Sequence, residues 1–319
     1  ENIFEQDNKM VLDYNFLNVK EEGFLYKDRD LNKIWNYKKE YYDLFGYSEE
    51  VILWPKQFKN NKSVVIYCHY DKDNIIKDYV IQGLKTLILL KYDIIFCTTC
   101  DEIKNVELPF EINYFENKGI GSDIYNYYEI LKNRNFDKYK WILLMNDSIL
   151  FPIHNIDNMK KTIYTIRKKE IDFWGLYESD EICIHLCSCF IEIKNNLIKD
   201  LISFFDKKII ECNSTQDIID KIEIKQTEYL SDKGYKYDSI IRYKELIPIS
   251  HSIMFNPINV HKYINNKDCF GIKWKYLGNY LDYKKINNSY LNFLMRYLKI
   301  SEYKIPNIPN YYTIFNEIC

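Results

Sequence analysis

The chain has 319 residues, with 44 basic and 46 acidic side chains and a formal net charge of −2. A chain so close to neutral offers no electrostatic basis for binding a nucleic acid, so we exclude that class of partner. Hydrophobic residues make up 47% and charged residues 28% of the chain, which is typical of a globular protein with a full core. No apolar run approaches the roughly 18 to 20 residues of a transmembrane helix, so we expect no membrane span.

Cysteine usage and the first residues bear on the compartment. The nine cysteines are scattered, and an odd number of them fits a reducing environment. The first residues lack the basic and apolar regions of a signal peptide, so we expect a cytoplasmic protein. Three cysteines around His185 admit two interpretations, a metal cluster or thiols along a strand. The alternation of HLCSCFIEI favours the strand.

In chain order, the sequence divides into three parts. Residues 1–60 are charged and rich in tyrosine, which predicts a helical N-terminal extension. Residues 61–255 alternate strand and helix patterns, which indicates an α/β domain with a mixed, mainly parallel sheet flanked by helices. Residues 256–319 predict a C-terminal helical extension packed on the core. The predicted strands are 63–68, 92–99, 111–115, 141–145, 172–176 and 185–193, and the predicted helices are 73–90, 123–131 and 155–168.

Polar residues follow the fourth predicted strand. The apolar run 141–145 stops abruptly at Asn146, Asp147 and Ser148. Because ligands bind at the carboxyl ends of the strands of parallel sheets, Asp147 is a candidate for an active site. Asn-Asp-Ser also makes a good turn, so at this point both interpretations stay open.

Other strand ends carry polar residues as well. The first predicted strand ends at His69 and Tyr70, and the sixth begins at His185. A single histidine at a strand end is usually structural, whereas two that face one sheet edge favour a place in a site. Asp123 follows a glycine-containing loop and opens a predicted helix, where it fits either an N-cap or a contact to a ligand.

The order of these motifs resembles the rhamnan synthesis protein F family, glycosyltransferases of polysaccharide assembly with a GT-A-like, Rossmann-like fold. The resemblance covers roughly residues 62–280. It implies a rhamnosyltransferase-type enzyme that moves a sugar from a UDP- or dTDP-sugar donor to a saccharide or glycan acceptor, with inversion. The motifs that carry it are HYD at 69–71, ENKGIGSD at 116–123, LLMNDSILFP at 143–152, DFWGLYES at 172–179, HLCSCF at 185–190 and TEYLSDKGY at 227–235.

The resemblance also implies roles for individual residues. Asp147 and Glu228 are expected to be catalytic. The expected donor-binding residues are His69, Tyr70, Asn117, Gly119, Asp123, Asn146 and Ser148. The expected substrate-binding residues are Trp174, Tyr177, Ser179, His185 and Ser188. Tyr177 and Ser179 are expected on the acceptor side, and the core is the alternative for Trp174.

The metal requirement stays open, because GT-A enzymes usually carry Asp-x-Asp and this chain has Asn146 and Ser148 on either side of Asp147. One carboxylate makes a weak Mg²⁺ or Mn²⁺ site unless water and phosphate oxygens complete the coordination. Without a metal ion, Lys, Arg, His or backbone N–H donors would have to stabilise the departing diphosphate. The loop of Gly119 also departs from the Gly-Arg-Asp-like turn of the family, which leaves its donor contacts open.

Inverting transfer needs a base beside the acceptor hydroxyl. Glu228 occupies the position of the late acidic base of GT-A enzymes, at the start of a predicted helix that Gly234 ends. It also fits an exposed acid stabilised by the helix dipole. Two other functions stay open: a non-catalytic nucleotide-sugar- or saccharide-binding protein on the same fold, and a transferase with another hexose donor, such as UDP-glucose or UDP-galactose.

Overall fold

In a computed structural model, an eight-stranded mixed sheet lies at the centre of the molecule, with helices on both faces. The predicted extensions at 1–60 and 256–319 lie outside the described residues, apart from a few positions. Their structure and the predicted domain boundaries therefore stay predictions. The structure describes residues 54, 61–103, 105–117, 122–180, 182–245, 263 and 266–273.

Strands and helices alternate along most of the described chain. The strands are β1 (Ser63–His69), β2 (Tyr92–Thr98), β3 (Ile112–Tyr114), β4 (Trp141–Asn146), β5 (Ile149–Leu150), β6 (Phe173–Ser179), β7 (His185–Leu186), β8 (Phe190–Lys194), β9 (Tyr237–Ile241) and β10 (Ile272–Lys273). The helices are α1 (Asp78–Leu89), α2 (Ser122–Asn133), α3 (Ile156–Arg167), α4 (Ile198–Lys208), α5 (Thr215–Ile218) and α6 (Lys225–Asp232). A π-helical segment, Ile219–Glu223, joins α5 to α6. Of the helices in these ranges, none has the length and apolar character needed to span a bilayer.

The strand order in the main sheet is β3-β2-β1-β4-β8-β6-β7, with β9 beside β6. The pairs β1–β2, β1–β4, β2–β3 and β6–β9 are parallel. The strand β8 runs antiparallel to both of its neighbours, and β7 runs antiparallel to β6. The predicted α/β architecture, with a mixed, mainly parallel sheet flanked by helices, is confirmed.

Two hydrophobic cores cover the two faces of the sheet. Because successive side chains of a strand point to opposite faces, Val65 and Tyr67 of β1 face one core and Val64 and Ile66 face the other. Helices α1 and α3 pack on the first face, and α2, α4 and α6 on the second. All seven residues of β1 are buried, as expected for a central strand covered by helices on both sides.

Two predicted elements are wrong in their extent. The segment 185–193 is not one strand, because β7 ends at Leu186 and the chain turns through Ser188 before β8 begins. Among the described residues the two strands have different partners: β7 pairs with β6 alone, whereas β8 lies between β4 and β6. The cysteines of this segment are therefore at a turn between strands.

The helix predicted from residue 73 begins five residues later, at the start of α1. The Asp71 carboxylate accepts a hydrogen bond from the backbone N–H of Asp73, and Asn74 adopts φ +57°. The Asn105 side chain binds both the N–H and the C=O of Ile76. These local bonds compete with helical ones, which explains the late start.

Candidate active site

Asp147 lies at the carboxyl edge of the central parallel strands, immediately after β4. The register of β1 against β4 pairs Cys68 with Asn146, so the residues after β1 lie beside Asp147. The backbone N–H of Tyr70 donates to Asp147 Oδ2 at 3.0 Å, and His69 Nε2 lies 3.8 Å from the same oxygen. The Tyr79 hydroxyl donates to the Asp147 backbone carbonyl at 3.0 Å. The turn is thus tied to β1 and to α1.

Burial makes the Asp147 carboxyl a weaker acid than usual. Its side chain is 20% exposed, and desolvation raises its pKa to about 8, helped by the charges of Asp123 and Asp71. The hydrogen bond from Tyr70 acts in the opposite direction. A carboxyl group that gains a proton near neutral pH at a sheet edge is typical of a functional site.

His69 is neutral at pH 7, because burial lowers its pKa to about 4. Its Nδ1 lies 3.2 Å from the Thr98 hydroxyl on the neighbouring strand. The contact between His69 and Asp147 is therefore between a neutral imidazole and a carboxyl group, and not a charged pair. The His69 side chain therefore lines the site with a polar group that carries no positive charge.

A second network joins the other predicted donor residues. Asn146 Nδ2 donates to Asp123 Oδ2 at 2.6 Å, and Asn146 Oδ1 accepts from both the backbone N–H and the hydroxyl of Ser148. Asp123 lies inside the first turn of α2 and binds Asn146 with its side chain. The pKa of Asp123 is raised to about 6, mainly by burial; the Asn146 hydrogen bond and the Lys273 charge act to lower it, and the Glu223 charge acts to raise it.

Glu223 is a residue that the sequence argument missed. Its Oε2 accepts a hydrogen bond of 2.5 Å from Ser188, the predicted substrate residue in the turn between β7 and β8. No local signal marks Glu223, because the predicted helix begins at Thr227 and Ser188 lies 35 positions earlier in the chain.

Glu228 lies in the first turn of α6, and its side chain is 53% exposed. Its carboxylate forms an ion pair of 2.8 Å with Lys225. It borders a surface groove of about 380 Å³ between α4 and α6, which Phe204 and Lys208 also line. Across the described ranges, no contact joins Glu228 to Asp147. Its role as base stays a prediction.

The three predicted substrate residues on β6 are buried in the sheet. Trp174 is fully buried, and its indole N–H donates to Glu192 at 2.7 Å. Tyr177 is also fully buried, and its hydroxyl donates to the Gly271 carbonyl. Ser179, at the end of β6, is buried as well. The burial of Trp174 favours the core alternative that the sequence left open.

The remaining predicted residues lie around the same edge or outside the described ranges. His185 is buried opposite Ser179 in the β6–β7 pair, with Nδ1 at 2.8 Å from the Cys183 carbonyl. The Tyr70 side chain is 50% exposed, so its backbone rather than its ring contacts Asp147. Asn117 is exposed. Gly119 lies outside the described residues.

The carboxylates fit a divalent cation only with help from a ligand. The part of the chain that the structure describes contains no group of three His, Cys, Asp or Glu side chains that could hold a metal ion. Asp147 and Asp123 repel one another electrostatically, and in each carboxylate one oxygen has no described hydrogen bond. Both ends of the Asn146 amide are occupied. With phosphate oxygens and water, the two aspartates could complete a Mg²⁺ or Mn²⁺ site.

Sequence comparison identifies one family. The sequence model of rhamnan synthesis protein F matches residues 110–311, which is more than half of the chain. The match includes Asp147, Glu223 and Glu228 but begins after β2, so His69 and Tyr70 precede it. The predicted family resemblance is thereby confirmed. None of the curated proteins compared with the chain matches it.

Three solved structures are similar to the chain at low identity. The mannosyltransferase PcManGT from Pyrobaculum calidifontis, in complex with GDP-Man and Mn²⁺, is 8% identical; the match covers 86% of this chain and 76% of that chain, with a TM-score of 0.35. A cytidylyltransferase from Leptospira borgpetersenii is 12% identical, with coverages of 79% and 99% and a TM-score of 0.34. The mannosyltransferase Ktr4p from S. cerevisiae is 11% identical, with coverages of 71% and 68% and a TM-score of 0.21.

Proposed function

Since the chain belongs to the rhamnan synthesis protein F family, we propose that it is a glycosyltransferase of the rhamnosyltransferase type. It moves a sugar from a UDP- or dTDP-sugar to a saccharide or glycan acceptor with inversion at the anomeric carbon. We propose the cytoplasm as its compartment, because nine scattered cysteines fit a reducing environment. The acceptor oxygen attacks the anomeric carbon, and the electron pair of the broken bond leaves with the diphosphate.

The observation that carries this proposal is the environment of Asp147. Its carboxyl group is held by the Tyr70 N–H at the edge where parallel sheets bind their ligands, and its pKa is raised. A carboxyl group in a turn with only a structural role would be expected to keep an ordinary pKa or to have a cationic partner. Its second oxygen suits the hydroxyl groups of a sugar or a cation on the diphosphate.

A Mg²⁺ or Mn²⁺ ion, if the enzyme uses one, would be held by Asp147 and Asp123 together with donor phosphates. Such an ion offsets negative charge on the departing diphosphate. The residues around it bind and orient the donor: Asn146 fixes the Asp123 carboxylate, and the Tyr70 N–H and His69 lie beside Oδ2 of Asp147. Excluding water from these groups strengthens every electrostatic contact to the donor.

The first experiment is a thermal-shift screen of the full chain. UDP-, dTDP- and GDP-sugars are tested one by one, each with and without Mn²⁺. A ligand that binds only the native state raises the melting temperature. At 100 times its Kd, such a ligand stabilises the native state by about 2.7 kcal/mol. Nucleotide release in the presence of oligosaccharide acceptors then distinguishes an enzyme from a binding protein. Binding without release would favour the non-catalytic alternative.

The second experiment tests Asp147 itself. Asp147→Asn should abolish transfer while circular dichroism shows an unchanged fold, because the change removes the ionisable carboxyl group and keeps the shape of the side chain. Asp157→Asn is the matched control, since Asp157 is 77% exposed on α3. Full turnover by a folded Asp147→Asn protein would contradict the assignment of the site.

A further inference from the structure

We propose that Glu223, and not Glu228, takes the proton from the acceptor hydroxyl in the transfer reaction. The inference rests on the proposed function and adds a catalytic residue to it. It starts from the contact between Glu223 and the turn that separates β7 from β8. The Ser188 hydroxyl donates to Glu223 Oε2, and no second hydrogen bond to Glu223 occurs within the described ranges. One carboxylate oxygen is thus oriented and the other is available to accept a proton.

This turn connects Glu223 to the edge of the central strand. The backbone N–H of Asn146 points to the carbonyl of Cys189, the residue after Ser188, at 3.4 Å. Asn146 in turn binds Asp123, whose carboxyl group the Glu223 charge affects. Glu223, Asp123 and Asn146 therefore belong to one electrostatic neighbourhood beside Asp147. Glu223 is half-buried, so it is reachable by a ligand without being fully solvated.

In the described part of the chain, Glu228 does not contact the β7–β8 turn, because its side chain points in a different direction from that of Thr227 on α6. Thr227, in α6, accepts a hydrogen bond from the Leu186 N–H on β7, just before the turn that Glu223 contacts. Glu228 follows Thr227 by one residue, which rotates its side chain by about 100°. Its carboxylate points to Lys225 and to the groove beside α4. Within the described residues, Glu223 is hydrogen-bonded to the β7–β8 turn and Thr227 to β7, whereas the Glu228 carboxylate pairs with Lys225.

The backbone at Glu223 has an unusual form as well. Glu223 is the last residue of the π-helical segment that precedes α6. Single π-helical turns within helices are rare and occur frequently at functional sites. Here the π-helical segment directs Glu223 towards Ser188, while α6 continues with regular geometry.

The proposed transfer needs only the donor, the acceptor and Glu223. The acceptor oxygen forms a bond to the anomeric carbon, and the bond from that carbon to the diphosphate oxygen breaks. The electron pair of the broken bond stays on the diphosphate. The proton of the acceptor hydroxyl passes to the Glu223 carboxylate. A positioned base of this kind typically contributes about 10²- to 10⁴-fold to the rate.

The test compares five forms of the full chain: wild type, Glu223→Gln, Glu223→Asp, Glu228→Gln and Glu170→Gln. The glutamine at 223 keeps the contact to Ser188 but cannot accept a proton, whereas the shorter aspartate can. Glu170 is 96% exposed and serves as the neutral control. Each form is assayed for kcat, KM and the melting-temperature rise with the donor that stabilises the wild type in the UDP-, dTDP- and GDP-sugar screen.

We expect Glu223→Gln to lower kcat and kcat/KM together by about 10²- to 10⁴-fold, with the donor-induced melting-temperature rise unchanged. Glu223→Asp should be faster than Glu223→Gln, since it retains a base. A purely structural role predicts the reverse order. The inference is overturned by wild-type rates in Glu223→Gln, by a comparable loss in Glu228→Gln, or by loss of donor binding in Glu223→Gln. If no donor stabilises the wild type and none is turned over, the proposed function itself fails.

Discussion

Aspartates are usually exposed and ionised at neutral pH, but at the sheet edge Asp147 and Asp123 both have raised pKa values. Burial is the main cause for both, and neighbouring negative charges add to it. Neither has an Arg or Lys within hydrogen-bond distance in the described part of the chain. Keeping two such groups costs folding free energy, which is the usual compromise at a site that must bind a ligand.

The raised pKa of Asp147 can be tested by measuring the free energy of unfolding as a function of pH. The folded pKa of Asp147 is about 8 and its ordinary value is 3.8. Between these values the native state holds a proton that the unfolded state has lost, so the free energy of unfolding falls as the pH rises. The contribution reaches at most about 1.4 kcal/mol per pH unit. The difference in unfolding free energy between wild type and Asp147→Asn should therefore fall from pH 5 to pH 8.

Denaturant unfolding at several pH values measures this difference. Subtracting the variant from the wild type cancels other titrating groups to first order. The exposed Asp157→Asn variant is the control, and its difference curve should be flat over the same pH range. A flat curve for Asp147→Asn as well would mean that Asp147 ionises like an exposed acid.

At the scale of the element, the end of α6 shows how a local sequence signal becomes geometry. Gly234 adopts φ +89°, the Gly234 N–H binds the Ser231 carbonyl, and the Tyr235 N–H binds the Leu230 carbonyl. This is the Schellman arrangement that ends many helices. The predicted C-cap glycine is confirmed, because the signal depends only on residues next to one another in the chain.

Two glycine substitutions should have opposite effects on stability. Gly234→Ala should lower the free energy of unfolding by about 1 to 2 kcal/mol, since a Cβ is strained at this φ although nothing lies within 4 Å of it. Gly83→Ala, in the interior of α1, should raise it by about 0.4 to 1 kcal/mol. The new methyl group there would lie 3.4 Å from the Phe151 carbonyl oxygen, an ordinary contact.

Urea denaturation of both variants provides the measurement. The pair separates backbone strain from packing, because Gly234 has space for a methyl group without the right conformation and Gly83 has both. Equal effects of the two substitutions would contradict this account.

At the scale of the molecule, a buried network around Glu192 on β8 connects four elements. Arg167 from α3 donates to both carboxylate oxygens, Tyr92 from β2 donates at 2.6 Å, and Trp174 from β6 donates at 2.7 Å. Glu192 is fully buried. Its charge is acceptable in the core only because each of its oxygens is hydrogen-bonded and Arg167 balances it.

Glu192→Ala should therefore destabilise the protein strongly. Removing one partner of a buried ion pair costs about 3 to 5 kcal/mol, because Arg167 keeps a charge that is largely removed from water. The free energy of unfolding from denaturant titration measures the loss. Glu211→Ala is the matched control, since Glu211 is 46% exposed and pairs with Lys208 at the surface. The control should change stability by less than about 1 kcal/mol, and equal losses in both variants would refute the importance of the network.

Much of the site could be found from the sequence, but its connections could not. The motif after β4 identified Asp147, Asn146 and Ser148 because a short apolar run that ends in polar residues is a local pattern. The contact of Asp147 with Tyr70 joins residues 77 positions apart, and the contact between Tyr92 and Glu192 spans 100 positions. No local pattern encodes such pairs. The sequence does not reveal the contact of Glu223 for the same reason, since its partner Ser188 lies 35 positions earlier.

By itself, the sequence determined the alternation of strands and helices, the strand-end motifs, the glycine that ends α6 and the family, because each depends on neighbouring residues or on their order. The tertiary structure decided the antiparallel insertion of β8, the division of 185–193 into two strands and the side of the helix that faces the sheet edge. It also decided the raised pKa values of Asp147 and Asp123. Strand pairing and burial depend on which distant segments meet, and the protonation of a carboxyl group depends on the water and charges that those segments leave around it.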